Sequence, residues 1–202
     1  MALQMLIDVV AKLGLRIEPY LLFVEQLGTG CVPALPTGLD GHEVTLLEAG
    51  DMRSIATIPG RNFSEADLLR RLQQGMGCMG IKYRGAVVAF TWFNLSNATI
   101  EKHRLFGLRQ GEAHLFDAYT VESFRGKNLA PYMRYRCYEE LAALGRNRCY
   151  SVSTALNTPA LRFKKKLGAR VSAFGMFVEI LRHWRFDVRL KTYPVPVADR
   201  GD

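Results

Sequence analysis

Two rhythms of apolar side chains run along this chain, one near 3.6 residues and one of two, and the places where they change outline the elements. Near the start, Leu3, Leu6, Ile7, Val10 and Leu13 recur at helical spacing with Asp8 and Lys12 on the other side, which predicts an amphipathic helix ending at Gly14. A seam follows from Thr29 to Gly41, punctuated by Gly30, Pro33, Pro36, Gly38 and Gly41. Beyond it the pattern predicts a strand over Val44–Glu48, a short helix over Asp51–Ile58 stopped by Pro59, and a second helix capped by Ser64. That second helix carries Leu68, Leu69 and Leu72 on one face and ends at Gly75. Strands over Met76–Tyr83 and Ala86–Asn94 flank Arg84-Gly85, a hairpin turn. A polar loop containing Gly107 leads to a strand over Glu112–Val121, then to a helix over Leu129–Leu144 with Met133, Cys137, Leu141 and Leu144 as its buried stripe. A strand over Cys149–Thr154, a helix over Pro159–Leu167, and strands over Val171–Leu181 and Arg185–Leu190 complete the pattern. The tail from Pro194 is expected to be disordered.

Hairpins mixed with strand–helix–strand units imply an α+β layered domain with a mixed sheet, because each helix must bury its stripe against that sheet. The expected organisation is an N-terminal helical appendage and linker over residues 1–41, one domain over 42–193, and a tail over 194–202. With 202 residues, 49% of them apolar and 23% charged, the disordered and fibrous classes are excluded, and a core forms without disulfides or metal. Cys31, Cys78, Cys137 and Cys149 show neither CxxC pairing nor dense spacing, so a reducing, cytoplasmic setting is expected. Asp8, Lys12, Arg16, Glu18 and Glu25 interrupt the apolar stretch from Leu3 to Leu27, which reads as neither signal peptide nor membrane span. The apolar face of the first helix is expected to pack on the main domain, with a homodimer or a peripheral membrane contact as sharper alternatives.

The net charge of +8 is unevenly placed: nine basic residues stand against two acids between Leu161 and Lys191. Such a surplus either attracts phosphates, an anionic substrate, nucleic acid or membrane, or forms a solvated face. No nucleic-acid recognition motif accompanies it, and Phe90, Trp92 and Phe93 on one strand read as core or pocket wall. His42, His103, His114 and His183 share no ligand spacing, so no metal site is expected, and neither a Gly-x-Ser-x-Gly elbow nor a phosphate-binding P-loop is present.

One segment carries chemistry. The strand over Glu112–Val121 runs through Ser-Phe-Arg-Gly-Lys-Asn-Leu-Ala, residues 123–130, directly into a helix. The first amides of a helix lack internal partners and sit at the positive end of its dipole, so a basic turn there makes an anion site suited to a diphosphate, or else an ordinary surface turn. Arg125-Gly126-Lys127-Asn128-Leu129-Ala130 resembles motif A of the GNAT superfamily of acyl-CoA-dependent N-acyltransferases, Arg/Gln-x-x-Gly-x-Gly/Ala between the family's fourth strand and third helix. Asn157-Thr-Pro-Ala160-Leu-Arg-Phe163-Lys-Lys-Lys166-Leu167-Gly168 is similar to the family's next landmark at the family's spacing. The likeness is strongest from about Glu112 to Arg170, and the Glu-Ala-His-Leu-Phe-Asp-Ala-Tyr-Thr strand looks like GNAT proteins associated with polysaccharide biosynthesis.

The resemblance implies a GNAT fold with a sheet of about six to seven strands flanked by helices, an acetyl-CoA or other acyl-CoA donor, and an amine acceptor, an amino sugar first among the candidates. It implies that Tyr119, Thr120 and Val121 pair with pantetheine through backbone groups, that residues Arg125 to Ala130 line the diphosphate, that Asn157 holds the pantetheine arm or else simply begins its helix, and that Phe163 also belongs to the cofactor site. Counting back along the strand, His114 stands where several relatives place a glutamate base, with Asp117 and Glu112 as competitors. Strand alternation separates His114 from Asp117 unless a bulge intervenes. Two departures matter: Asn128 replaces the central glycine, and Lys164 stands where many members carry a tyrosine general acid. A fatty-acyl donor from CoA or a carrier protein, and a non-catalytic acyl-CoA sensor, are the alternative readings.

Overall fold

A computed structural model describes residues 14–26, 33–34, 40–100, 103–181 and 183–194 of the chain. The expected helix over Leu3–Leu13, most of the seam, Cys31, and the tail after Pro194 lie outside those residues. Two compact units are formed, a larger one from residues 26–150 and a smaller one whose described residues are 14–25, 151–181 and 183–194.

In the larger unit, β2 (Glu43–Leu46), β3 (Gly77–Tyr83), β4 (Ala86–Asn94) and β7 (Glu112–Thr120) are antiparallel in the order β7–β4–β3–β2. The short α1 (Met52–Ala56) and α2 (Glu65–Gln73) precede β3, and α3 (Leu129–Ala143) follows β7. Central β4 reads as a nearly unbroken apolar run because both its faces are buried. Phe90 and Trp92 pack with Met52, Ile55 and Leu68 of α1 and α2, whereas Ala89 and Phe93 pack with Leu129, Met133, Cys137 and Leu141 of α3. Ser64 caps α2 as its sequence position demands, in a reciprocal capping box with Asp67. The amides of Asn147 and Arg148 both donate to Gly111 O, so β8 (Arg148–Thr154) starts beside the start of β7 and runs the same way. The sheet is therefore mixed, as expected.

In the smaller unit, β1 (Leu15–Gln26), β9 (Arg170–Ile180) and β10 (Trp184–Thr192) form an antiparallel set in the order β10–β9–β1, accompanied by α4 (Thr158–Lys166). Tyr20 lies opposite Gly175, where a Cβ would come within 2.5 Å of its ring, and its hydroxyl donates to Asp187 Oδ1 at 2.5 Å. Burial, and then the Asp187 carboxylate, pushes this phenol above its ordinary value. From about pH 10 upward, the unfolded chain loses a proton that the folded chain keeps, so stability falls there and is unaffected by this group at lower pH. Tyr20→Phe is expected to flatten that alkaline limb, read as urea midpoints between about pH 8 and 11.

Three sequence expectations needed correction. There is one strand more than the expected six or seven, the addition being β1 in the smaller unit. Arg16 and Glu18, which argue against a membrane span, are also the polar half of a two-residue alternation with Leu15, Ile17 and Pro19, and they pair with each other at 3.0 Å. The expected polar loop before Glu112 contains a hairpin, β5 (Asn97–Ile100) with β6 (His103–Gly107), whose strands are too short and polar to show a pattern of their own. Leu144, expected in the buried stripe, is 47% exposed because α3 ends at Ala143 and Leu144 is its cap.

Candidate active site

The far end of β7 changes character within a few residues. Asn94 lies opposite His114 and Trp92 opposite Phe116, but Phe90 lies opposite Tyr119, so Asp117 and Ala118 together face Thr91 alone. This is a β-bulge, and Asp117 takes a left-handed φ of +47° within it. The bulge overrides strand alternation: Asp117 comes to the face of Phe116 and Tyr119, where the rings of Phe63, Phe90 and Trp92 also lie.

After the bulge, Val121 N donates to Val88 O at 2.9 Å. Tyr119 and Val121 therefore turn their main-chain groups toward β4, and alternation turns those of Thr120 to the other edge. Thr120 is thus the one member of the expected Tyr119–Thr120–Val121 trio with backbone groups aimed away from β4. A short 3-10 turn over Glu122–Phe124 leads into Gly126, with φ +80°, and Asn128, with φ +60°, and α3 begins at Leu129. Asn128 keeps its amide at the helix start, but its side chain donates to Ala34 O at 2.5 Å and does not cap the helix. No acid occupies the first turn, and Pro131 there has no amide to satisfy. The opening amides of α3 consequently have neither an intrahelical acceptor nor a side-chain cap. Arg125 Nε donates to Thr120 O at 3.3 Å with its guanidinium over the Tyr119 ring, and Lys127 Nζ lies 5.1 Å from the Phe124 ring centre. The expected residues Arg125 to Ala130 thus share one basic turn in which Arg125 and Gly126 are exposed and Leu129 is buried.

The three candidates for a proton acceptor are each engaged within the protein. His114 is fully buried, its Nδ1 accepts from Thr99 N at 3.3 Å, and its ring stacks on Phe116. Glu112, at the opposite end of β7 from the turn, accepts from Arg109 N at 2.9 Å and from the Tyr150 hydroxyl at 3.1 Å. Burial holds the Tyr150 phenol above its usual value; Arg148 opposes that and Glu112 reinforces it. Asp117 accepts from Arg61 on one carboxylate oxygen and from Arg71, at 2.6 Å, on the other. Arg61, Phe63 and Arg71 were not found by sequence reasoning, because nothing local marks residues of a loop and of α2 as partners of a strand 46 and 56 residues away.

In the smaller unit, Asn157 Oδ1 accepts from Ala160 N at 3.1 Å and so caps α4, with Pro159 in the first turn. Phe163 is half-buried on that helix. Lys164 is buried, and its ammonium donates to Ser151 Oγ, which in turn donates to Glu25. The lysine at the family's tyrosine position is therefore committed to the interior of its own unit.

Among the described residues, no group of three or more His, Cys, Asp or Glu side chains is arranged to hold a metal ion, and no helix is long and apolar enough to cross a membrane. Cys78, Cys137 and Cys149 are buried, and burial, then the Asp117 charge, pushes the Cys78 thiol well up, away from the nucleophilic thiolate.

Solved structures share this fold. A GCN5-related N-acetyltransferase from Sphaerobacter thermophilus aligns with a TM-score of 0.60 at 12% identity, covering 89% of this chain and 57% of its own. Another from Kribbella flavida gives 0.58 at 18% identity, covering 86% and 62%. A glucosamine N-acetyltransferase region in a fungal multi-domain beta-N-acetylglucosaminidase gives 0.57 at 13% identity, covering 92% and 22%. The chain thus spans less than two thirds of the length of these neighbours, and at such identities the likeness is one of fold. No curated protein matches the sequence. The family model described as Acetyltransferase (GNAT) family matches residues 49–169, from the 3-10 turn before α1 to the end of the Lys-Leu-Gly landmark and more than half of the sequence, and the chain belongs to that family.

Proposed function

We propose that this protein is an N-acyltransferase that moves an acyl group, acetyl in the simplest case, from acyl-CoA to a primary amine by direct attack in a ternary complex. Acyl transfer is the chemistry of the family; what carries the finer reading is the basic turn over Arg125–Ala130, which leads into α3 with no side-chain cap from Asn128 and no acid in the first turn. In this reading those amides hold the diphosphate, with Arg125 and Lys127 adding charge. Thr120 offers its backbone edge to the pantetheine arm and thioester, polarising the carbonyl as the amine attacks it. The nitrogen–carbonyl bond forms, the carbon–sulfur bond breaks, and the thiolate, a good leaving group, departs as the anion without assistance from Lys164. Because His114, Glu112 and Asp117 already hold hydrogen bonds within the protein, we assign the amine proton to solvent.

The test is calorimetric titration of the full chain with acetyl-CoA, longer acyl-CoAs and desulfo-CoA, followed by thiol release over a panel of amines that includes amino sugars. Binding with thiol release on at least one amine is expected. Binding without release on any amine would instead support the acyl-CoA sensor, a reading favoured by the side chain at Asn128 and the lysine at 164. In the same assay, His114→Ala is expected to cost about 2–4 kcal/mol of stability, through the lost ring and Thr99 hydrogen bond. Its kcat/KM should change by less than about threefold, and a fall of about a hundredfold at unchanged Tm would return His114 to a chemical role.

A further inference from the structure

The charges gathered at the bulge do not balance. Arg61, from the loop before α2, and Arg71, from α2, share the single carboxylate of Asp117, and among the described residues neither forms an ion pair with any other acid. One unit of positive charge therefore remains where all three side chains are 13–17% exposed. Leaving charge so far from water is costly unless something compensates it. Aromatic faces supply part of the compensation. Arg61 lies over Phe63, Phe90 and Tyr119 at 5.1–5.3 Å, and Arg71 lies over Phe63 at 4.3 Å, Trp92 at 5.1 Å and Phe116 at 5.5 Å. Ring quadrupoles attract a cation without neutralising it. A second sign of incompleteness is Arg61 Nε, buried with no hydrogen-bond partner.

The position of the cluster gives the imbalance a use. Asp117 stands three residues before Thr120, and the Tyr119 ring under Arg61 also lies under Arg125 of the basic turn. The left-handed backbone at Asp117 is the kind of local strain that persists where it serves a site. With both its oxygens taken by guanidiniums, Asp117 is a positioning residue: it holds two planar forks together on the face of Phe116 and Tyr119. Such forks match carboxylate and phosphate oxygens.

We propose that the Arg61–Asp117–Arg71 cluster is the acceptor subsite and selects amines that also carry an anionic group, carboxylate or phosphate. The proposal rests on the acyl-transfer reading and names the substrate class of that site; an amino sugar phosphate has the required chemistry.

The full chain is assayed with acetyl-CoA and three acceptors of similar size: β-alanine, phosphoethanolamine and neutral ethanolamine. Binding of each is also measured without donor, by calorimetry. At least one anionic amine is expected to have a KM about tenfold or more below that of ethanolamine, and the better of the two identifies the anion. Arg71→Gln is expected to raise that KM about tenfold more than it raises the KM for ethanolamine, with Arg71→Lys between wild type and Arg71→Gln. Asp117→Asn supplies the discriminating sign. Asparagine keeps an acceptor oxygen to hold the guanidiniums and removes the competing charge, which should tighten the anionic amine, whereas loss of a purely structural tie weakens all three acceptors alike. Equal use of ethanolamine by the wild type, or equal losses on all three in both Arg71 variants and Asp117→Asn, overturns the proposal and leaves acyl transfer standing. Arg71-dependent binding of an anionic amine with no thiol release on any amine does the reverse: the subsite holds and the acyl-transfer reading falls.

Discussion

Gly126→Val is expected to remove donor binding while leaving the chain folded. Gly126 has a φ of +80°, a conformation that costs a β-branched residue roughly 1–2 kcal/mol. Among the described residues a Cβ built there meets no atom within 4 Å, so beyond the strain of the positive φ the added bulk stands free, in the path of a ligand approaching the amides that follow. Each charge-assisted hydrogen bond lost at the diphosphate is worth about 1.5–3 kcal/mol, and losing even one or two raises Kd by about a hundredfold. The expected result is therefore a Kd for acetyl-CoA and for desulfo-CoA at least about a hundredfold higher, with a Tm lower by a few degrees. Gly126→Ala should fall between the two proteins, sharing the strain but not the bulk. An unchanged Kd in Gly126→Val would take the turn out of the donor site and remove the ground of the proposed function.

Lys164→Met is expected to have the largest effect on stability. Lys164, Ser151 and Glu25 are 3%, 1% and 1% exposed, and they form a chain in which the ammonium donates to the serine hydroxyl and the hydroxyl to the carboxylate. The ammonium also lies 3.5 Å from Glu25 Oε1 and 4.9 Å from the centre of the Phe23 ring. Methionine keeps the apolar stem and deletes the cation, leaving a buried carboxylate without this counter-charge. Breaking such a pair from one side costs about 3–5 kcal/mol, a large share of the roughly 5–15 kcal/mol that holds a typical domain. Removing both charges, as Glu25→Leu with Lys164→Met, should recover more than half of that loss, because an apolar pair has no desolvation to offset. Urea midpoints at constant m-value measure both variants. A single variant within about 1 kcal/mol of wild type would show that Glu25 is held by its other surroundings.

Much of the framework was legible because it is written in local periodicity. The two-residue alternation of β8, the continuous apolar run of β4, the Ser64 cap and the Arg84-Gly85 turn each state their structure within ten residues. The strand–turn–helix over Glu112–Ala143 was legible for the same reason, and the proposal that its turn is an anion site rests on helix geometry whatever the side chains. Strand β1 was harder to read, because charges spaced for a strand also serve to break a membrane span. The β5–β6 hairpin left no signal, since its pattern is completed by contact: the Thr99 amide is satisfied by His114, a residue of another strand.

By itself, then, the sequence determined the order and kind of most elements, the basic turn and the family, all of which depend on neighbours within one or two turns of chain. Only the tertiary structure decided what the charged side chains do. A one-residue bulge turned Asp117 onto the face of Arg61 and Arg71, and burial turned Lys164 toward Ser151 and Glu25. The physical reason is range: periodicity is set by bonded geometry, whereas a desolvated charge must find its partner wherever the fold brings one within hydrogen-bonding distance, here from 13 to 139 residues away along the chain.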